Sequence, residues 1–565
     1  AQTMSGTIIK NLIMQTILAV IVGFIVSITA NIFIEGARYF LSLQSSANGI
    51  AIKLGDLEIN LLPVIAMLIS ACLIMVVRKS VGVTKWSGPA DSIYALHQPK
   101  VGVDIRLGLG STLAAFVSAG GGASVGQYGP LVHFGATLST IVSRLFSVQI
   151  SKNVLIACGV AAAISSGFNA PIAGILFAHE ALLRRFSVGA VAPISVAAIV
   201  ASASNQYFGF ANLAFEVPSL ELELAAVVPF VILFAPLCSA AAISYMVIIR
   251  KFQSFAASGK FSFTTLLFST ALVVGIIGIF LPEVLGLGGP QINDMVNGGY
   301  ALHFLLIIFF IKIVVTAACI SFGFFGGVFG PALFVGAALG GILSSLLIAV
   351  GLGNEYGSII TVATLAAVGS SVIGAPLTVV LIVVELTGSY QYGLMALLSV
   401  TLCSTLTYRF FGLSFFDRQL LDRGVDLTRG REHIYMTQIY VKELTLSDCL
   451  TFQQGTSADE ILTAMREAQT TEVYILKEDG HLYGKLDLHT LIANSEDFEN
   501  QLDFSPTSLS MSTSLTEALE IASDFVGESI PVVEEGSFIG AITEGDLFTE
   551  VLNIEESLRE EEEVR

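Results

Sequence analysis

The chain has 565 residues, of which 54% are hydrophobic and 13% charged, with a mean hydropathy of +0.79; this excludes an ordinary soluble globular protein and points to a membrane protein. The formal charge of −18 does not signal a basic partner. The acidic excess gathers in the C-terminal part and ends in EESLREEEEVR, which reads as a solvated domain and tail.

Apolar segments recur from Leu12 to Phe411. LIMQTILAVIVGFIVSITANIF predicts a first span, too long and too devoid of a cleavage site for a signal peptide. LLPVIAMLISACLIMVV predicts the next. Further on, SAGGGASVGQYGPLVHFGATL breaks an apolar run with glycines, restarts it at Pro130 and places Tyr128 in the break. ELAAVVPFVILFAPLCSAAAISYMVII and FTTLLFSTALVVGIIGIFL are again long enough to span, and FFIKIVVTAACISFGFFGG carries Lys312, a charge at membrane depth and so a functional suspect or a helix anchor. Short runs cut by Gly or Pro are tolerated in hydrocarbon only where protein or a water-filled cavity satisfies the freed backbone groups, so they indicate a transport path. Glu35, Glu180 and Glu385 are too few and scattered to line a cation path. Basic residues gather at segment edges, and the cluster Arg409, Arg418, Arg423, Arg429 and Arg431 predicts a cytoplasmic C-terminal domain. Of the six cysteines, Cys72, Cys158, Cys238, Cys319 and Cys403 lie in or beside apolar segments and Cys449 beyond them; neither a disulfide framework nor metal-ligand spacing emerges.

The membrane part repeats itself. GQYGPLVHFGATLSTIVSRL from Gly126 matches GVFGPALFVGAALGGILSSL from Gly327, and NAPIAGILFAHEAL from Asn169 matches GAPLTVVLIVVELT from Gly374. Interrupted helices in corresponding positions of two halves point to a binding site at the repeat interface, and an inverted arrangement is expected. In each break Gly permits unusual dihedrals, and Pro, expected at the first helical position, lacks an N–H that would be orphaned anyway. Each break thus leads into a helix start whose free N–H groups and dipole suit an anion. Two such starts, at Gln127 to Gly129 and at Val328 to Phe329, are therefore expected to converge on one anion. The competing reading is that these glycines serve close helix packing alone.

The C-terminal part repeats as well, from Ser457 and from Ser512, each copy a helix, a strand, an acidic-glycine turn, a strand and a helix. A two-lobed α/β module is expected.

These motifs together resemble the CLC family of chloride channels and chloride/proton antiporters, and the tail resembles its paired CBS domains, over nearly the whole chain. GQYGP is similar to the family's G-(K/R)-E-G-P, GGVFGPALFVGA to its G-G-x-F-x-P, and SFFDRQLLDRG to its S-I-Y-x-x-x-L-x-x-R-G; WSGPADSIYAL stands in the place of G-S-G-I-P-E. The resemblance implies a polytopic α-helical membrane domain over 1–430 with inverted-repeat broken helices. A cytoplasmic α/β CBS-domain pair would fill 431–565, its halves at about 441–495 and 505–555. It implies a homodimer with one pore per subunit. It also implies chloride at a central site held by the Ser87 hydroxyl and the N–H groups of Val328 and Phe329, beside Phe416, with an outer site around Gln127, Tyr128 and Gly129.

The departures from the family pattern carry most of the functional expectation. Tyr128 stands at the gating glutamate; a neutral phenol can donate a hydrogen bond to chloride but hardly shuttle protons. Ala181 replaces the second of two glutamates that antiporters carry, Glu180 being the first. Phe416 replaces the central tyrosine and offers no hydroxyl. Passive chloride conduction uncoupled from protons is expected, with Tyr128 either standing clear of the pore or plugging it. The alternative is an antiporter or a fluoride- or nitrate-selective carrier using another proton residue such as His179, beside Glu180; His133 reads as a packed histidine. A CBS-regulated cation transporter would need acidic residues along its broken helices, and no catalytic constellation suggests an enzyme. In the second CBS copy Thr543 and Asp546 resemble the family's T-x-x-D for an adenine nucleotide, whereas the first has Asp487 and Thr490 in swapped order. At most one good nucleotide site is implied, and a purely structural role is its competitor.

Overall fold

The computed structural model describes residues 2–45, 51–54, 57–97, 102–146, 151–186, 188–210, 215–218, 223–351 and 354–562. Two compact units divide the chain, one reaching Gly424 and the other starting at Val425.

The first unit is helical. Its N-terminal part comprises α1 (Gln2–Ser45), a hairpin of β1 (Ala51–Leu54) and β2 (Leu57–Asn60), then α2 (Leu62–Val81), α3 (Pro89–His97), α4 (Ile105–Gly120), α5 (Tyr128–Phe146), α6 (Lys152–Phe168), α7 (Pro171–Phe177) and α8 (Val188–Phe208). The rest comprises α9 (Leu224–Ala257), α10 (Phe263–Phe280), α11 (Gly289–Val296), α12 (Leu302–Ser321), α13 (Phe329–Ala349), α14 (Gly357–Ile373), α15 (Pro376–Thr387), α16 (Tyr390–Phe410) and α17 (Phe415–Leu421). Among the described residues seven helical segments are long and apolar enough to cross a bilayer. The longer of these include α9, which continues through Pro229 and Pro236.

The repeat read from sequence is a repeat of packing. α5 lies on α6 and α13 on α14, α7 on α8 and α15 on α16. α6 and α14 are buried on nearly every side, which their Ala, Gly and Ser content permits by close backbone approach. A methyl on Gly340 of α13 would sit 2.5 Å from the Thr361 Cα of α14. Both buried helices end in a left-handed residue, Asn169 at φ 53° and Gly374 at φ 73°, the two residue types that reach this region most readily. The following alanines share one conformation, φ −127°, ψ 78° at Ala170 and φ −128°, ψ 72° at Ala375, before Pro171 and Pro376 begin the next helix.

The second unit opens with α18 (Arg431–Met436). Its first lobe is β3 (Thr451–Gln453), α19 (Ala458–Ala468), β4 (Glu472–Leu476), β5 (Leu482–Asp487) and α20 (Leu488–Ala493). The second is α21 (Leu515–Ser523), β6 (Ile530–Glu534), β7 (Ser537–Ile542) and α22 (Glu544–Glu562). β3 runs parallel to β4, and Leu509 bridges Val532 of β6 in the same parallel sense. β4–β5 and β6–β7 are antiparallel hairpins, each with a register shift, at Ile475/Leu476 and at Val532/Val533. Each lobe has its own apolar core. The lobes meet where Lys485, whose Nζ is paired with Glu472 Oε2 of its own lobe at 2.6 Å, donates to the Ser529 carbonyl of the other at 3.0 Å.

Candidate anion pathway

The two glycine breaks are bonded to each other. Gly126 N–H donates to the Gly327 carbonyl at 2.7 Å and Gly327 N–H to the Gly126 carbonyl at 2.6 Å, an antiparallel bridge between corresponding positions of the two repeats. Opposed chain direction at matched residues is what an inverted pair requires. Nothing larger than glycine fits, because a Cβ on Gly126 would lie 2.9 Å from the Gly327 oxygen and one on Gly129 2.9 Å from the Gly327 Cα. The starts of α5 and α13 are thereby held side by side, and the first N–H groups of a helix have no intrahelical acceptor. Tyr245 of α9, fully buried, donates its hydroxyl to the Val328 carbonyl at 2.9 Å and secures the second turn. Sequence reading passed over it; the available signal was one tyrosine in an apolar helix, whose hydroxyl must find a partner when buried.

Two cavities meet at Tyr128. The larger, about 700 Å³, is lined by Arg38, Gln127, Tyr128, Glu283, Gly288 and Gly330 among others. The smaller, about 20 Å³, is lined by Pro89, Tyr128, Gly129, Phe329, Phe416 and apolar side chains including Ile164, Phe177 and Ile382. That is room for about one water-sized species. Among the described residues Tyr128 is the one that lines both. Its ring is 7% exposed, stacked on Phe168 with centroids 3.5 Å apart at 8°, and edge-on to Phe329 at 6.0 Å and 66°. A methyl on Gly167 would come within 3.2 Å of it, so glycine there completes the socket.

The expected site residues are brought together in part. Tyr128, Gly129, Phe329 and Phe416 share the small cavity, and Gln127 faces the large one. Ser87 is buried two residues ahead of Pro89, its N–H donating to Ser111 Oγ at 2.9 Å, and it is not among the residues lining either cavity; nor is Val328.

The proton-pathway positions lie on a π-helical turn, Ala178–Leu183, that continues α7. His179 is buried, its Nδ1 3.1 Å from the Arg185 carbonyl and its ring stacked on Phe186 at 5.0 Å. Ala181 is buried without a polar group. Glu180 accepts from the N–H groups of Leu377 and Thr378 at 2.9 and 2.8 Å and from Thr378 Oγ1 at 2.6 Å. Glu385 does the same in reverse, accepting from the N–H groups of Ile172 and Ala173 at 3.0 and 2.8 Å. The view of these glutamates as scattered needs correcting: they occupy the same position of the repeat, and each caps a helix of the other half. Lys312 is fully buried, donates to the Val284 carbonyl at 2.8 Å and lies 4.6 Å from the Phe334 ring centroid.

In the second unit Asp546 Oδ2 accepts from Ser447 Oγ at 2.6 Å and from Thr543 N and Oγ1 at 2.9 and 2.8 Å. Burial pushes the Asp546 carboxyl up, but these hydrogen bonds together outweigh it and hold it below the usual carboxylate range. Asp487 and Thr490 make the mirror arrangement, with Thr490 N and Oγ1 donating at 2.9 and 2.6 Å. The swapped order thus preserves one function that needs no ligand, capping the next helix.

Inverted repeats of broken helices, meeting at paired helix starts on a divided passage, define a multi-pass membrane protein that moves ions. The family model described as "Voltage gated chloride channel" matches residues 81–408, and that for the CBS domain matches 503–553. The chain belongs to the voltage-gated chloride channel family, with a C-terminal CBS pair whose second half carries the match. It is 29% identical over 334 residues to a putative chloride channel protein ClcB-like from Ralstonia nicotianae, covering 56% of this chain and 76% of that one. It is 26% identical over 324 residues to the H(+)/Cl(-) exchange transporter ClcA of Vibrio parahaemolyticus, covering 55% and 69%. A solved eukaryotic CLC transporter superposes with a TM-score of 0.61 at 17% identity, over 95% of this chain and 98% of that one.

Proposed function

We propose that this protein conducts chloride passively, without coupling to protons. The observation that carries the reading is Tyr128, a neutral ring in place of the gating glutamate, packed between Phe168 and Phe329 where the two cavities meet. A carboxylate there could carry a proton and compete with the anion; a phenol with a reference pKa of about 10 does neither at neutral pH. Ala181 removes the second proton position, and His179 faces a carbonyl and a phenyl ring rather than a carboxylate. In this reading the anion rests in the small cavity beside Phe329, Gly129 and Phe416 and takes hydrogen bonds from N–H groups at the starts of α5 and α13. The Val328 N–H and the Ser87 hydroxyl contribute once the passage widens. Tyr128 is the gate: its ring closes the passage when stacked on Phe168 and opens it when it swings into the large cavity.

We further propose that two copies pair, each with its own path, and that the CBS unit is cytoplasmic, as the arginine cluster from Arg409 to Arg431 favours. An adenine nucleotide is proposed to bind the second lobe, where the donors to Asp546 converge on Oδ2 and leave Oδ1 for ribose hydroxyls, with Thr543 beside it.

Liposomes loaded with chloride test the conduction reading. Chloride efflux should require valinomycin and leave external pH unchanged, and Tyr128→Ala should raise it at least about fivefold, the ratio expected when about 1 kcal/mol of closure is removed. Uphill proton movement driven by the chloride gradient would refute uncoupled conduction.

A further inference from the structure

The large cavity lies in front of the Tyr128 gate, and its walls carry one cation and one carboxylate among the described residues, Arg38 and Glu283. The residue just before the gate, where the resembling motif has Lys or Arg, is the uncharged Gln127. Arg38 comes instead from α1, far away in sequence, and lines the same cavity as Gln127 and Tyr128. Its side chain is 31% exposed, and its ion pair, Nη1 to Glu35 Oε1 at 3.1 Å, joins two partly solvated groups three residues apart. Pairs between partly solvated side chains are weak, so an incoming anion can compete for a guanidinium with five N–H donors. In the lining of the same cavity, the Glu283 Oε2 is buried with no hydrogen-bond partner. The same wall segment is backed by the Lys312 ammonium, held on the Val284 and Gly286 carbonyls.

We propose that Arg38 is the anion-capturing residue of this mouth, replacing from α1 the cation missing at position 127, and that Glu283 opposes it. The ligand class is a small monovalent inorganic anion. A cavity bounded by low-dielectric walls concentrates the field of a fixed charge and raises the local concentration of its counter-ion. Arg38 and Glu283 therefore set how much external anion is needed to keep the gate supplied, with opposite signs. The proposal rests on the conduction reading above and adds to it the residues that load the path.

The test is exchange of labelled chloride by the full-length protein in liposomes, at equal chloride on both sides and over a range of concentrations. Arg38→Gln should raise the half-saturating chloride about three- to tenfold and Glu283→Gln should lower it. Arg38→Lys should fall between wild type and Arg38→Gln, and Gln127→Lys added to Arg38→Gln should recover most of the loss. The differences should shrink as ionic strength is raised with an impermeant salt. Unchanged half-saturation in Arg38→Gln, or movement of both variants in one direction, would overturn the proposal. If Arg38→Gln does not fold, Glu283→Gln and Gln127→Lys decide, both being expected to lower half-saturation and either failing to do so counting against it. If the wild type exchanges no chloride, the conduction reading fails by itself. Capture is then read from chloride-dependent thermal stabilisation of the purified protein in detergent, which Arg38→Gln should abolish; equal stabilisation of both would reject it.

Discussion

Before the Tyr128 ring can leave the passage it must give up two aromatic contacts, on Phe168 and Phe329, each worth about 0.5–1.5 kcal/mol. Together they would hold an open state to between about one in five and one in a hundred and fifty, since about 1.4 kcal/mol is a factor of ten. Gly167 offers a way to test the socket without removing the ring. A methyl there meets the ring at 3.2–3.3 Å, closer than ordinary contact, while Phe168 beneath the ring is fully buried. Gly167→Ala is therefore expected to destabilise the stacked position and raise chloride flux severalfold, while adding nothing on a Tyr128→Ala background. Coupling of this kind between touching residues typically amounts to about 0.5–3 kcal/mol. Additive effects in the double variant would mean that Gly167 acts elsewhere.

Helix starts are where the elements of this fold interact. α7 and α15 begin Ala-Pro, so neither has a capping side chain of its own. Each takes a carboxylate from the other repeat, Glu385 for α7 and Glu180 for α15. Negative charge at a helix N-terminus is favourable, and the second and third N–H groups of these helices would otherwise be orphaned. Glu180→Ala and Glu385→Ala should each lower unfolding stability in detergent by about 1–2 kcal/mol, and the glutamine variants by less because an acceptor oxygen remains. A glutamine variant as damaging as the alanine one would show that charge, not the hydrogen bond, is what counts. Asp546 and Asp487 do comparable work in the second unit, capping from within their own helix ends. This leaves the nucleotide reading dependent on the free side of the Asp546 carboxylate.

At the scale of the whole molecule, the two units call for different measurements, conduction for the first and ligand binding for the second. Adenine nucleotide at about a hundred times its dissociation constant should stabilise the second unit by about 2.7 kcal/mol, visible as a raised unfolding temperature of the full-length protein. Asp546→Ala should remove that response while the Asp487→Ala protein keeps it. An unchanged unfolding temperature with every adenine nucleotide would leave the second lobe as scaffold. Both lobes show the same parallel bridge, hairpin and register shift, so the asymmetry rests on which residue caps the final helix.

Membrane class, the duplication, the breaks at Gly126 and Gly327 and the α/β module were legible in the chain itself, because each arises from local chemistry. Apolar length is set by the hydrocarbon, left-handed turns favour Gly or Asn as at Gly374 and Asn169, and a prolyl residue can open a helix but not continue one cheaply. The replacement of a carboxylate by Tyr128 was equally visible there. What only the tertiary structure decided is everything that depends on residues far apart in sequence. Tyr245 reaches Val328 across 83 positions and Glu180 reaches Leu377 across 197; Phe168 and Gly167 supply the socket for Tyr128, and Arg38 joins a cavity that Gln127 leaves uncharged. No periodicity encodes these pairings. They arise when two inverted repeats close on each other, because buried polar groups and rings then take the partners that packing brings within reach.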